Sequence, residues 1–553
     1  MDLRVCLRRR VRADVGALVA DQDEVVHPGP DLTTVPWSAD VDQGSYAGHP
    51  GMLYRHGPGT FAELIAGTRR WTDRDFLVHG ERRISYAQFR AALPRAVEQL
   101  AARGIRTGDR VMVFGYNSPE WVLALWSLWL TGAVPVLGNR WWSRTEVAHA
   151  TTLLDLRHIL TDTAVDGPTS ISELAELAEA FTCAGADGDL LSAERGLDDV
   201  ALVLFTSGSS GMPKAVQLSR RSVIANQQNI FARSGRQPHR LTPDSPAVVS
   251  LASTPMFHIG GCSALLTHFL TGGRIVLTQG RFDAGTVMAS IETERVAVWG
   301  AVPTMAVRVL EHPDFGSYDL TSLRSWPLGG APVSPHLLQR IRAALPNLAT
   351  RGLSNTWGMT EAGGFLTVAD GRDLLERPGT VGRPYPVVEV LIDRPDAEGV
   401  GEVLARSPTV MLGYAGPDDG TVGAEGWLHS GDLGHLDDDG YLYIDGRSKD
   451  MVIRGGENIA CPQVEAALMS HPAVVEAAVF GIPHADLGEE LAAVVVHRDT
   501  TEAPAVDALR SHLSDAVASF AIPTAWRLTA TPLPTLAGEK VDKKTLAADF
   551  GKS

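Results

Sequence analysis

Short β-rich runs alternate with helical stretches along most of this chain, and that alternation narrows the fold more than any other feature. "RVMVFGY", "ALVLFTS", "AVVSLAS", "RIVLTQ" and "AVWGAV" read as strands, while "TFAELIAGTRRW" and "SYAQFRAALPRAVEQLAARG" read as helices. Such a pattern predicts an α/β fold, with mixed, largely parallel sheets sandwiched by helices. At 553 residues the chain exceeds one ordinary core, so more than one domain is expected. The texture changes near Gly446, beyond which "VEAALMSHPAVVEAAVFGIPHADLGEELAAVVVH" forms a helix–strand–strand unit of small-domain size. The expected division is a tail and N-terminal extension over 1–50, a large domain over 51–447 and a small α+β domain over 448–553.

Charge and cysteine usage exclude some partners. A formal net charge of −16 argues against a general nucleic-acid binder, which carries a basic surface. Cys6, Cys183, Cys262 and Cys461 are scattered without C-x-x-C spacing, as in a reduced cytoplasmic chain without a thiolate-bound metal. The N-terminal "MDLRVCLRRRVRADVG" is basic but has no apolar core of a signal peptide. The longest apolar run, "WVLALWSLWLTGAVPVLG", could be mistaken for a membrane span. It follows Ser118 and Pro119, a helix start, and "TGAVP" breaks it, so it reads as a buried helix followed by a strand.

Directly behind the strand "ALVLFTS" comes a loop of small polar residues ending in Lys214, "TSGSSGMPK". Backbone N–H groups of a Gly-rich turn can converge on phosphate oxygens, with hydroxyls and a terminal lysine adding donors and charge. The loop is not a Walker A motif, since Pro213 precedes the lysine and Ala215 follows it. Nor is it a hydrolase nucleophile elbow, since Ser210 abuts Gly211.

This loop resembles the phosphate loop of the adenylate-forming, AMP-binding superfamily, and six further motifs appear in that family's order. "PMFHIGG" is similar to its histidine loop, "PLGGAPV" to its adenine-wall turn, and "NTWGMTE" to its Y-G-x-T-E pattern. "GWLHSGDLG" resembles its ribose motif, "GRSKDMVIRGGENIACPQVEAAL" its hinge and C-terminal signature, and "LPTLAGEKVDKKTL" its terminal lysine motif. The resemblance spans residues 60 to 550 and points to the acyl-CoA synthetase branch. It implies ATP and Mg²⁺ as cofactors, CoA as co-substrate, and a C-terminal domain that moves between two reactions.

The chemistry explains why such residues are wanted. ATP brings about four negative charges, which must be offset before a carboxylate can attack the α-phosphorus. By resemblance, Thr206, Ser207, Gly208, Ser209, Ser210, Gly211 and Lys214 hold the β- and γ-phosphates. Glu361 is then the Mg²⁺ ligand, a hard oxygen donor for a hard cation, and Thr360 bonds the α-phosphate. Gly330, Ala331, Asn355 and Thr356 border the adenine, Trp357 stacks on it, and Asp432 and Arg447 reach the ribose. His258 borders the carboxylate; a general base is not needed there, because a carboxylic acid is already ionised at neutral pH. Lys540 bridges substrate carboxylate and α-phosphate in the transition state, and Lys449 is the hinge. One departure stands out: the family has Gly directly before this lysine, and here the residue is Glu539.

The acid itself is barely legible. Amino-acid-activating relatives place an Asp after the histidine loop, and "FHIGGCSALLTHF" has none. "HIGG", "WGAVPT" and "EAGGF" are candidate walls, and their small residues Gly260, Gly261, Ala301, Gly363 and Gly364 suggest room for a fatty or bulky cyclic acid. No carrier segment follows Lys552, which favours CoA as acceptor. The expected partners are that acid and CoA, with no nucleic acid or membrane span and with a homodimer left open. Two alternatives stay open: an acyl-AMP ligase serving a separate carrier protein, and a catalytically silent nucleotide-binding homologue.

Overall fold

In a computed structural model, the structure describes residues 36–165, 170–182, 193, 196–207, 212–448, 451–454, 457–484, 486–498, 503–536 and 539–550. Four sheets larger than a hairpin form the scaffold. The first has seven strands and holds Arg110–Phe114, Val134–Leu137, His158–Thr161 and Val200–Ser207, all pairing in parallel with their neighbours in this group. The second has five strands and is parallel through Asp75–His79, Arg274–Leu277, Val249–Ala252 and Val298–Trp299. The third has eight strands, only the first pair of which, Trp326–Gly329 with Leu353–Met359, is parallel. The fourth belongs to the C-terminal region, where Val474–His484 and Gly488–His497 form a long antiparallel pair.

The long apolar run is the centre of the large core. Pro119–Thr131 is a helix capped by the Ser118 hydroxyl at its start and by left-handed Gly132 at its end. Every residue from Pro119 to Leu130 is buried, which is why no polar face interrupts the run. Among the described residues no helix is long and apolar enough to cross a membrane. Trp129 stacks on Phe61 at 4.0 Å, and its indole N–H donates to the Ala201 carbonyl at 2.7 Å. The buried helix thus fixes the strand Val200–Ser207, which leads toward the Ser/Gly-rich stretch before Lys214.

Part of the stretch grouped with the tail is packed. Trp37 is buried edge-on against Phe231, and Val41–Tyr46 pairs with His49–Tyr54 as a hairpin.

Two elements of the C-terminal region rest on the large domain. Val475 packs against the apolar cluster around Trp299 and Trp326. Two short stretches of the C-terminal region are held together: Leu536 N–H donates to the Lys540 carbonyl at 2.7 Å, and Thr535 bridges Val541. The helix Lys543–Phe550 follows and tucks Leu546 into the small core.

Candidate active site

The strand Val200–Ser207 turns back into Pro213–Ser219, with Ser207 opposite Pro213 and Thr206 opposite Lys214. This register puts Thr206 and Lys214 side by side. Gly208, Ser209, Ser210 and Gly211 lie outside the described residues, as does Lys449.

A third strand, Gly413–Tyr414, pairs with Val216 and Gln217 and delivers a residue the sequence motifs do not contain. Tyr414 hydroxyl donates to Glu361 Oε1 at 2.8 Å and also bonds the Thr206 side chain. Burial, then the Glu361 charge, raises its pKa further above the ordinary phenol value, so it stays a neutral donor. Lys214 Nζ lies 4.4 Å from the centre of the same ring and 2.8 Å from Asp419 Oδ2. Tyr414 therefore ties together Thr206, Lys214 and Glu361, three residues separated by up to 155 positions. The Lys214–Asp419 pair is about two-fifths exposed on each side. Such a pair contributes about 1 kcal/mol or less, so an incoming phosphate can displace the carboxylate.

The residues expected at the nucleoside form a second group. Asp432, in the strand Leu428–Leu436, sits opposite Arg447 in antiparallel register. Its Oδ1 lies 2.8 Å from Arg447 Nε, and its Oδ2 accepts the Trp357 indole N–H at 2.7 Å. Asp432 is 3% exposed and Trp357 6%. The tryptophan ring belongs to the large core and serves as a tether for the carboxylate. Asn355 and Thr356 are occupied with the sheet: Asn355 donates to the Thr380 carbonyl at 3.1 Å, and Thr356 to that of Leu328 at 3.4 Å. Thr360 stands in the turn after Leu353–Met359, where its carbonyl accepts from Gly363 N–H.

Lys540 reaches this cleft from the C-terminal region. Its Cε lies 3.8 Å from the point that a Cβ on Gly330 would occupy, so the side chain passes over the turn that holds Gly330 and Ala331. Glu539 beside it adopts φ +62°, a left-handed conformation that Gly takes freely and Glu does not. Held there, it forms an ion pair with Arg308, while its carbonyl accepts from the Thr304 hydroxyl. His258 precedes the helix Ile259–Leu270, its ring 4.7 Å from Phe257.

Three of the small residues expected to leave room for the acid have another reason to be small. A Cβ at Gly261 would collide with the Pro255 carbonyl, one at Gly363 with that of Thr409, and one at Gly364 with Asn226. Gly260 and Gly300 have no atom within 4 Å of that point. Among the described residues no group of three or more His, Cys, Asp or Glu gathers to hold a metal. A Mg²⁺ at Glu361 would complete its shell with phosphate oxygens and water, its usual habit with nucleotides.

The Trp357 tether yields a binding prediction. Trp357→Phe keeps an aromatic ring but removes the N–H, at a cost of about 1 kcal/mol in ordering the acceptor. ATP affinity measured by calorimetry should fall about fivefold. An unchanged affinity would show that Asp432 is held without the indole.

Residues 66–415 match the AMP-binding enzyme family and residues 463–537 its C-terminal domain. The chain is 33% identical over 489 residues to feruloyl-CoA synthase from Amycolatopsis sp, covering 86% of this chain and 95% of that one. It is 31% identical over 444 residues to 2-succinylbenzoate–CoA ligase from Bacillus mycoides, covering 78% and 87%. Among solved structures, o-succinylbenzoate CoA synthetase from Bacillus subtilis, in complex with its acyl-adenylate intermediate, superposes with a TM-score of 0.75. That match has 28% identity and covers 88% of this chain and 97% of that one. The chain belongs to the AMP-binding enzyme family, in its acyl-CoA synthetase branch, and is an AMP-forming acid–thiol ligase.

Proposed function

We propose that this protein ligates a ring-bearing carboxylic acid to CoA in two steps at one cleft. First the acid carboxylate attacks the α-phosphorus of ATP, forming acyl-AMP as pyrophosphate leaves. The CoA thiol then attacks the acyl carbon, and AMP departs with the oxygen that bridged it. The observation that carries the reading is Lys540 passing over the Gly330 turn, beside a strand, Leu353–Met359, that carries Trp357 to Asp432 and runs on to Glu361, which Tyr414 holds.

The roles follow from the chemistry. Lys214 and the hairpin loop offset the β- and γ-phosphates, and Glu361 would hold a Mg²⁺ that would supply further positive charge against the triphosphate. Tyr414 orients Glu361 by donating to one of its oxygens. Thr360 bonds the α-phosphate. Lys540 neutralises the charge that builds on the α-phosphoryl oxygens during attack, where a preorganised donor has its largest effect. His258 lines the acid's side of the cleft. Lys449, between the ribose arginine and the small domain, is the pivot that takes Lys540 away before the thiol arrives; hinges are a few boundary residues that absorb a large backbone change.

The ring-bearing class rests on two supports. Both named relatives above act on acids with an aromatic ring. Gly260 and Gly300 leave open space at two of the candidate walls, and a flat ring needs width more than length. A fatty acid is the second half of the reading from sequence, and the relatives do not favour it.

The test is pyrophosphate release with ferulate, 2-succinylbenzoate and straight-chain fatty acids, each with and without CoA. Release with a ring-bearing acid, AMP as nucleotide product and thioester only when CoA is present is the expected result. A preference for the straight chains, or ADP as main product, would overturn the reading. Lys540→Ala should slow adenylation by about 10²–10³, by comparison with removing an oxyanion donor, and largely spare thioester formation from supplied acyl-adenylate. Equal loss in both steps would make the lysine structural.

A further inference from the structure

The contact that seats Lys540 is built from one small set of side chains on the helix Pro303–Leu310. Thr304 donates to the Glu539 carbonyl, and Arg308 pairs with the Glu539 carboxylate. Thr535, in the same loop as Glu539, donates to that carboxylate at 3.2 Å. Just past the helix, Glu311 is chelated by Arg498 at 2.7 and 2.9 Å and is also paired with Arg340. The large domain thus presents a cation and an anion about one turn apart, and the small domain answers with the opposite sign at each.

The Glu539–Arg308 pair is the inner of the two. Its side chains are 19% and 27% exposed, so the charges are partly withdrawn from water and from screening salt. A second carboxylate of the small domain, Glu476, is buried in the strand Val474–His484 and accepts the Leu533 N–H. Burial raises its pKa, Arg308 lowers it and Glu539 raises it, so the three charges act on one another. Arg308 thus faces the Glu539 carboxylate from the small domain, and neither residue belongs to the substrate-binding groups described above.

Glu539 also borders a cavity on the large domain lined by Tyr116, Asn117, Trp141, Phe257 and Met305. While the pair is made, Glu539 forms part of that cavity's wall. Left-handed Glu539 is a conformation that non-glycine residues hold only where the surroundings over-determine it. Here the surroundings are Arg308, Thr304 and Thr535.

We infer that Glu539 and Arg308 form an interdomain latch: made, it holds Lys540 in place for adenylation, and it must break before the acceptor thiol can react. This rests on the two-step reading above. The consequence is that the pair divides the catalytic cycle unequally. Weakening it slows the first half-reaction and leaves the second unchanged or faster. Arg308 and Glu539 are positioning residues, acting through Lys540 and not on substrate.

The half-reactions can be measured apart. With ATP and ferulate, single-turnover pyrophosphate release reports adenylation; with purified feruloyl-adenylate and CoA, feruloyl-CoA formation reports the second step. Arg308→Gln and Glu539→Gly should each slow the first about tenfold, as for a partly buried pair that loses one partner, and should not slow the second. The exchanged pair, Arg308→Glu with Glu539→Arg, should recover adenylation to within about threefold of wild type. Raising NaCl should slow wild-type adenylation more steeply than that of Arg308→Gln. Equal losses in both steps, or no recovery on exchange, would overturn the latch. A readout without substrate separates this from failure of the acid assignment. In hydrogen exchange of the full chain, Arg308→Gln should speed exchange of residues 539–550 about tenfold, and unchanged exchange there would overturn the latch. Wild type that releases no pyrophosphate with ferulate, yet shows the faster exchange in the variant, would discard the acid and keep the latch.

Discussion

Two anions must meet in this cleft, a carboxylate and a triphosphate, and their mutual repulsion is the constraint around which the rest is arranged. At 4 Å two unit charges in water interact by about 1 kcal/mol, and by several times that where protein displaces solvent. The reaction then depends on cations placed beforehand, at no cost in reorganisation when charge shifts. Lys214, Arg447 and Lys540 are brought in on three separate pieces of chain: a hairpin, a strand of the eight-stranded sheet and a loop of the small domain. Two of them have an anion as ion-pair partner in the protein itself, Lys214 with Asp419 and Arg447 with Asp432, while Lys540 follows Glu539, whose carboxylate pairs with Arg308. A lysine or arginine held by a nearby carboxylate keeps its position before ligand arrives, and an exposed pair such as Lys214–Asp419 yields readily to a phosphate.

The scaffold explains why those pieces do not drift. From Pro119 to Leu130 the long apolar helix is buried on all sides, and through Trp129 it fixes the strand Val200–Ser207. Asp432 and Arg447 face each other because antiparallel register puts them opposite. The Trp357 indole adds a hydrogen bond from within the core, at a depth where an unmet carboxylate would be costly. The Asp432 group is thus buried and firmly bonded, while the Lys214–Asp419 pair is more open to solvent.

Much of this was legible in the sequence. Most strands and helices named from apolar runs and periodicity lie where the patterns put them, though "TFAELIAGTRRW" breaks at Gly67 and "AVWGAV" keeps only Val298–Trp299 as strand. The buried helix was distinguished from a membrane span by Ser118, Pro119 and the "TGAVP" break. The motifs mark Asp432, Arg447 and Glu361 because the chemistry restricts those residue types. Tyr414, Asp419 and Arg308 left no such signal. Each acts through a partner 53 to 231 positions away, and no local pattern encodes a contact of that range. Glycines misled in the same way: Gly261, Gly363 and Gly364 are small because backbone or Asn226 approaches closely, which a sequence cannot distinguish from room for a ligand. Glu539 was visible as a departure, but its φ and its partner were not.

The central claim is that the acid carboxylate itself attacks the α-phosphorus. That leaves an isotopic trace independent of any variant. With the acid labelled by ¹⁸O at both carboxylate oxygens, one label should cross into AMP, because the bridging oxygen stays with phosphorus when the thiol breaks the acyl–oxygen bond. Mass spectrometry of the nucleotide after one turnover with CoA decides it. AMP carrying one ¹⁸O is the predicted result, whereas unlabelled AMP, or label in inorganic phosphate beside ADP, would contradict the account.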